Sequence, residues 1–508
     1  MMTRQTAIWN GHAYPVVDEA DVIVVGGGTA GVMAACAAAR MGARTVVVER
    51  TEQLGGTPIQ ALMGSFANLF RTTEGEALVA SLPRELLSRI VALGGTVYAS
   101  SQEAIDGLIG RPFTIPYQPE IYAEAALTMA LESGVSIYLG ATFCGVLGDK
   151  TRPSGVLVAG KGGLSVLLGK AIVDATGEAD VAAAAGAPCN QQDGTFGCLM
   201  RIGGVDTDAL MRRLDETRPW SPCPDMLSWL AEKLRIPADE LKNIPLWRKL
   251  IDPVRYGHAP MLSPDDNDMS EAKWAYILKR YHAEGTAYTL EMSMFRHALR
   301  RAVDAGDFDL DAPFMEGRVG YNNDGIAFGP YGKGVVLCNI AQPSGFDATD
   351  MAGASHARMA AQLYNLKVFR FFKKYVPGFE DSFLLDIAGQ AVSRFSRLID
   401  GEEAFDREKC AGRADENAIY RFGGLQPFNA VYAMPYGMLV PRGVDNLLVA
   451  GKCASGANRC RSQISCMCMG VAAGAAAAIT AREGCRAWDV SRETLRGALD
   501  ALSRGAKE

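Results

Sequence analysis

At 508 residues the chain is long enough for two or three structural units around a large core. A hydrophobic fraction of 48% and a charged fraction of 21% are ordinary for a globular protein, and a net charge of −6 argues against a broad nucleic-acid or anionic-membrane surface. The 12 cysteines follow no disulfide framework, which fits a reducing cytoplasm. Residues 1–20 carry Arg4, Asn10, Asp18 and Glu19 without an apolar centre, so no secretory signal is expected. The longest apolar stretches are Ala-rich and broken by Gly, and read as too short for a membrane span.

The stretch from Asp21 to Thr57 organises the chain. Val22, Ile23, Val24 and Val25 form a β-branched run suited to a strand buried on both faces. Gly26, Gly28 and Gly31 follow as G-x-G-x-x-G where that strand turns into a helix. The first glycine permits the tight turn, the second lets backbone approach a pyrophosphate, and the third lets helix and strand pack closely. Thr29 and Ala30 open an Ala-rich helix whose N-terminal N–H groups and positive dipole end would face the phosphates. A second strand, Thr45 to Val48, ends in Glu49, placed to accept from the adenosine ribose hydroxyls. A lone glycine motif is weak in a chain with 55 Gly, but here strand, glycines, helix, strand and acid arrive in order. The next residues, Glu49-Arg50 followed by Leu54-Gly55-Gly56-Thr57, resemble the start of FAD enzymes with the glutathione-reductase-type flavin domain. That resemblance implies a glycine pair along which backbone passes against the flavin and its ribityl chain.

Further on, helical patterns are expected near Leu82 to Leu93 and over Ile121 to Glu132, and a strand over Val135 to Leu139. Thr142 to Val146, Gly155 to Val158 and Leu164 to Leu168 read as a β-meander. Lys170 to Val181 then brings an apolar strand ending in Asp174-Ala175-Thr176-Gly177. This resembles the A-T-G-D segment that closes the N-terminal part of such flavin domains, which implies cofactor contacts at Thr176 and Gly177. Glu178 stands where Asp is more usual. Gly197 to Asp206 resembles the opening of the second domain of the same enzymes. From about 206 to 308 the pattern is mostly helical, with Ser221 to Pro224 and Ser263-Pro264 as loops, and reads as an insertion or cap. Val335 to Ile340 reads as a strand, Ser355 to Phe372 as a long helix stopped by Pro377-Gly378. Arg394 and Arg397, three apart in SRFSRLIDGE, are expected to share a helical face.

The last strong feature is Val444 to Lys452, a strand into a turn at Gly451, then the small-residue helix around Cys466 to Ala478. Read alone, such a helix serves core packing. Beside a flavin its N-terminal dipole would face the N1–C2=O locus, and Gly470, Ala473, Gly474 and Ala475 would let it approach the first helix closely. Taken together, Gly26 to Gly31, Val48 to Thr57, Asp174 to Asp180, Pro377 to Glu380, Ser393 to Glu402, Met434 to Ser455 and Arg461 to Gly474 are similar to the FAD-dependent oxidoreductases related to succinate dehydrogenase and fumarate reductase flavoproteins.

The resemblance implies an α/β architecture. A Rossmann-like FAD-binding domain, parallel sheet plus β-meander, spans 15–195 and returns at 431–485. An α+β substrate domain with the helical insertion spans 196–430, and a C-terminal surface helix occupies 486–508. The cofactor-binding residues are then Gly26, Gly28, Thr29, Ala30, Gly31, Glu49, Arg50, Gly55, Gly56, Thr57, Thr176, Gly177, Gly451 and Gly470. No His lies between Glu49 and Phe70, where the succinate dehydrogenase branch carries its flavin-linking histidine, so FAD is expected without a covalent bond.

Arg461 and Arg459, just before the flavin-facing helix, are candidates for a charge clamp or, as the resemblance to fumarate reductase implies, a proton relay, with Arg394 and, by resemblance, Tyr436 beside them. Each Arg could equally serve a structural ion pair. Clustered Cys453, Cys460, Cys466 and Cys468 lack C-x-x-C spacing and read as buried thiols, so no metal is expected. The leading expectation is a dehydrogenase or oxidase of a small organic molecule, one carrying a carboxylate among the candidates. A flavin monooxygenase and an electron-relay or binding subunit are the alternatives. AGKCAS stands where hydroxylases of that fold usually show G-D-A. The electron acceptor and assembly into a homo-oligomer stay open.

Overall fold

The computed structural model describes residues 5–66, 81–106, 115–192, 194–218, 220–221, 223, 225–244, 247, 250–251, 271–285, 287–321, 325–329, 331–411, 418–423 and 431–505. The expected loop at Ser263-Pro264, and His258, lie outside them.

The run Val22 to Val25 is the end of a 14-residue strand, His12–Val25. Its side chains alternate between two cores: Val22 and Val24 pack under one face, Ile23 and Val25 under the other, all at 2% exposure or less. The strand starts earlier than the expected boundary at residue 15, because Thr6–Trp9 folds back on it. Asn10 and Gly11, both with positive φ (47° and 80°), make the two-residue hairpin turn that an Asn-Gly pair favours. Thr45–Val48 and then Ser136–Tyr138 extend the sheet in parallel on one side. Gly163–Asp174 pairs in parallel on the other.

Gly163–Asp174 corrects the expectation of two separate strands. The meander's last strand and the strand ending in Asp174 are one 12-residue element. Its first half pairs antiparallel with Arg152–Gly160, and its second half pairs in parallel with the return strand Leu447–Val449. Continuous pairing with His12–Val25 holds Gly169 and Lys170 extended, so the chain has no break to make.

The helices Thr29–Arg40 and Gln463–Glu483 cross at backbone distance. A Cβ on Gly470 would come 2.1 Å from the Ala30 carbonyl oxygen, and one on Gly474 2.1 Å from that of Ala34. Gly470→Ala is therefore expected to destabilise the protein by roughly 3 kcal/mol, the upper end of overpacking costs. Gly497→Ala, on a helix where an added Cβ meets nothing within 4 Å, is the control and should be neutral or slightly stabilising. Thermal melting decides, and a Gly470→Ala protein that melts like wild type would remove the packing argument. With 21 residues the second helix is long and apolar enough to span a membrane, contrary to the length argument from sequence, but its apolar part, Ile464 to Ala481, is wholly buried.

The other large sheet runs in the order Ala287–Leu290, Ile326–Phe328, Val336–Phe346, Gly194–Gly203, Phe383–Ile387, with antiparallel neighbours. Helix Met351–Tyr375 packs against it, opened by Asp350, whose carboxylate accepts from Gly353 N at 2.8 Å. Ala287–Leu290 lies inside the stretch expected to be helical, so the insertion contributes a strand to this sheet as well as helices. SRFSRLIDGE is not helical either. Val392–Ser393 pairs with Phe196 and Gly197, and Arg397–Ile399 pairs with Cys189–Gln191. Two short strands joined by a bend at Arg394 and Phe395 send the two arginines apart: Arg397 reaches Asp180 (3.8 Å) and the Ala179 carbonyl (3.4 Å), while Arg394 lines the central cavity. The C-terminal helix Arg492–Gly505 buries Leu495, Leu499 and Leu502 against the core.

Candidate active site

A cavity of about 570 Å³ lies between the two sheets, a volume in the range of natural ligand pockets. One wall is the organising stretch. Gly28, Thr29 and Ala30 line it, and the helix that starts at Thr29 has no side-chain cap, which leaves its first N–H groups to the cavity. Each of the three glycines meets a different surrounding. Gly26 (φ 101°) lies against Ala175, whose carbonyl oxygen a Cβ would meet at 2.4 Å, and a Cβ on Gly31 would fall 1.7 Å from the Gly26 oxygen. At Gly28 the nearest atom to an added Cβ is Gly56 Cα at 3.8 Å, so of the three only this position has room for a side chain, on the cavity side.

Glu49 is buried at the cavity edge and rigidly held. One carboxylate oxygen accepts from Gly27 N at 2.7 Å, the other from Thr51 N and Oγ1, each at 2.8 Å. The oxygen that accepts from Gly27 N keeps a lone pair for a ribose hydroxyl, while the other is filled by Thr51. Arg50, Gly56, Thr57, Thr176, Gly177 and Gly451 also line the cavity. Gly55 supports from behind, its N–H donating to the Gly27 oxygen at 2.8 Å. Gly470 does not reach the cavity; its role is the helix crossing described above.

Asp174 is wholly buried and fixes the turn below. It accepts from Thr176 N and Oγ1 and from Ala182 N, while burial pushes its pKa up. Desolvation and the neighbouring Asp174 and Glu178 push the Asp180 carboxyl up to about 6.

The return helix presents Ser462, Gln463 and Cys466 to the cavity. Gln463 is locked, accepting from the Tyr117 hydroxyl at 2.8 Å and donating to the Ser65 carbonyl at 2.9 Å. Arg461 lines the cavity with its guanidinium over the Phe395 ring, 4.8 Å from the centroid. Arg394 lines it too, its Nε 3.6 Å from where a Gly197 Cβ would stand. The Arg459 side chain lies outside the described residues. Tyr436 is a correction: it is fully buried away from the cavity, donates to the Ala487 carbonyl at 2.6 Å, and is covered by Trp488 and Arg492. That pocket is built by residues some fifty positions later, which the MPYG motif does not reveal.

Arg358, Asn339, Ser393 and Lys452 also line the cavity and were not foreseen. Arg358 had a local signal, since it stands four residues after cavity-lining Ala354 on one helix face. No described histidine lines the cavity. Cys466 and Cys468 thiols are pushed up to about 12 by burial, and burial also raises those of Cys453 and Cys460 well above the usual thiol range, so none is an activated nucleophile. Among the described residues no group of acids, cysteines or histidines could hold a metal ion.

The sequence model of the family described as FAD dependent oxidoreductase matches residues 21–499, and the chain belongs to that family. It is an enzyme that uses FAD, and the glycine cradle, the uncapped helix start and Glu49 fit the dinucleotide. No curated protein matches the chain. Among solved structures it is similar to a geranylgeranyl bacteriochlorophyll reductase-like protein from Thermoplasma acidophilum, at 12% identity and TM-score 0.39, over 96% of this chain and 84% of that one. It is also similar to the flavin-dependent brominase Bmp2, at 12% identity and TM-score 0.41, over the same shares of the two chains. A third is p-nitrophenol 4-monooxygenase PnpA from Pseudomonas putida DLL-E4, at 10% identity and TM-score 0.38, over 96% and 88%. Overlap at this level carries no argument about the reaction.

Proposed function

We propose that the protein is a dehydrogenase or oxidase that exchanges a hydride between FAD and a small, carboxylate-bearing organic substrate. The observation that carries this reading is the charge distribution of the cavity. The walls contributed by the second sheet and its helix are apolar at Leu199, Ile326, Ala327, Leu337 and Ala354, yet Arg358 and Arg394 project from the same side. Arg461 joins them from the return segment. The lining acids Glu49, Glu178 and Asp180 all belong to the dinucleotide-binding segments. Of the four lining guanidiniums Arg50 stands beside Glu49 on the dinucleotide side, and the other three, set among apolar walls, suit an organic anion.

Bound FAD supplies the two-electron centre, flavin N5, that takes or gives the hydride. Arg394 and Arg461 would hold a substrate carboxylate in a two-pronged grip and orient the reacting carbon. Either guanidinium can also sit against the atom that gains or loses a proton, and the apolar walls keep bulk water away from it.

Only one strand–glycine–helix–strand–acid unit occurs in the sequence, so direct reduction of the flavin by a nicotinamide nucleotide should be slow. Under anaerobic conditions a panel of small carboxylic acids, hydroxy acids and amino acids is expected to contain one that bleaches the flavin without NADH or NADPH. Rapid, saturable bleaching by either nucleotide alone would favour the monooxygenase class and overturn this reading.

A further inference from the structure

Glu178 lies at the seam of the two sheets in a bridge not foreseen from the sequence. One carboxylate oxygen, Oε1, accepts from Lys452 Nζ at 2.8 Å and from Ser393 Oγ at 2.5 Å. Lys452 Nζ donates further to Ser393 Oγ at 2.8 Å and Ser396 Oγ at 3.3 Å. Both charged side chains are only 17% exposed, and Glu178, Ser393 and Lys452 all line the cavity. The other oxygen, Oε2, is enclosed and has no donor among the described residues. A carboxylate oxygen removed from water without a partner is costly, so a fold that pins it there calls for a ligand donor.

The position says which part of a ligand that donor belongs to. Gly451, the residue before Lys452, packs by Ala30 at the phosphate cradle, a Cβ on it falling 3.5 Å from the Ala30 Cβ. Gly177, the residue before Glu178, lies 3.4 Å from Lys452 Cε by the same measure. Beyond the bridge come Ser393, Arg394 and the start of the return helix at Arg461 to Gln463. The bridge therefore stands between the phosphate cradle and the substrate arginines. In a flavin dinucleotide the stretch between the pyrophosphate and the ring is a sugar alcohol, and its hydroxyls are donors.

We propose that Glu178 Oε2 accepts from a ribityl hydroxyl of FAD, and that Lys452 and Ser393 hold the carboxylate in place for it. Lys452 is then a positioning residue rather than a ligand. The inference rests on the FAD site described above. The repulsion between a carboxylate and the nearby pyrophosphate is offset by the paired ammonium, which explains why an acid is tolerated there.

The test is FAD release from full-length holoprotein after dilution, followed by the rise in flavin fluorescence. Glu178→Gln keeps an oxygen for Lys452 but removes the charge-assisted acceptor, and release should speed up on the order of tenfold or more. Glu178→Asp keeps the charge but withdraws the carboxylate by one carbon, and should also speed release. It carries the test if the Gln variant does not fold. Slower release from Glu178→Gln would mean the oxygen faces phosphate, and unchanged release in both variants would mean the bridge serves the fold alone. Either result overturns the proposal. Wild-type protein that never holds FAD would instead overturn the cofactor site itself.

Discussion

Gly28→Val is expected to give a folded, colourless protein. The backbone at Gly28 is extended, with φ −73° and ψ −171°, a conformation that valine adopts without strain. An added Cβ meets only Gly56 Cα, at ordinary contact distance, so nothing in the protein objects to it. Its methyl groups would fill the space in front of the uncapped helix start, where the pyrophosphate must lie. Losing even two charge-assisted hydrogen bonds from N–H groups to phosphate costs at least about 3 kcal/mol, roughly a 150-fold loss of affinity. Gly31→Val makes the contrast. Its Cβ would sit 1.7 Å from the Gly26 oxygen, and that variant should fail to fold. Flavin absorbance per protein and the melting temperature of each variant separate the two roles. Gly28→Val protein that keeps its full complement of FAD would show that the cradle has been misplaced.

Arg461→Lys is expected to keep FAD and lose turnover. The guanidinium lies at the junction of loop and return helix, lines the cavity, and is steadied by the Phe395 ring. Lysine preserves the positive charge but not the planar fork that grips both oxygens of a carboxylate. A lost charge-assisted contact costs on the order of 1.5–3 kcal/mol, or about tenfold to hundredfold in kcat/KM. The melting temperature should barely move. If the variant instead loses FAD or stability while staying fully active per bound flavin, Arg461 is structural, and the clamp passes to Arg394 and Arg358.

What the sequence disclosed and what it concealed divide along a physical line. The glycine cradle, Glu49 and the return helix were legible because each is written in consecutive residues whose chemistry is local: a turn needs Gly26, and a close helix crossing needs Gly470 and Gly474. The wider cavity is not written that way. Arg394 and Arg397 have helical spacing, yet pairing with Phe196, Gly197 and Gln191 makes two short strands with a bend at Arg394 between them, and the side chains go to different places. Tyr436 sits in a motif suggestive of a flavin contact, and only the distant Ala487, Trp488 and Arg492 settle its burial. Lys452 was visible as a departure from G-D-A, but its partners Glu178, Ser393 and Ser396 come from segments far apart in the chain. The N-terminal hairpin is written in Asn10-Gly11, but its strands are half-exposed and carry no apolar run like the one that begins at Val22.

FAD held in this cavity without a covalent bond is the premise of every residue role proposed above. Denaturing purified protein in acid and analysing the supernatant and the precipitate tests that most directly. The expected result is a yellow protein that releases intact FAD, about one per chain, into the supernatant and leaves a colourless precipitate. A protein that is colourless as purified and cannot be reconstituted with FAD, or one whose flavin stays with the precipitate, would contradict it.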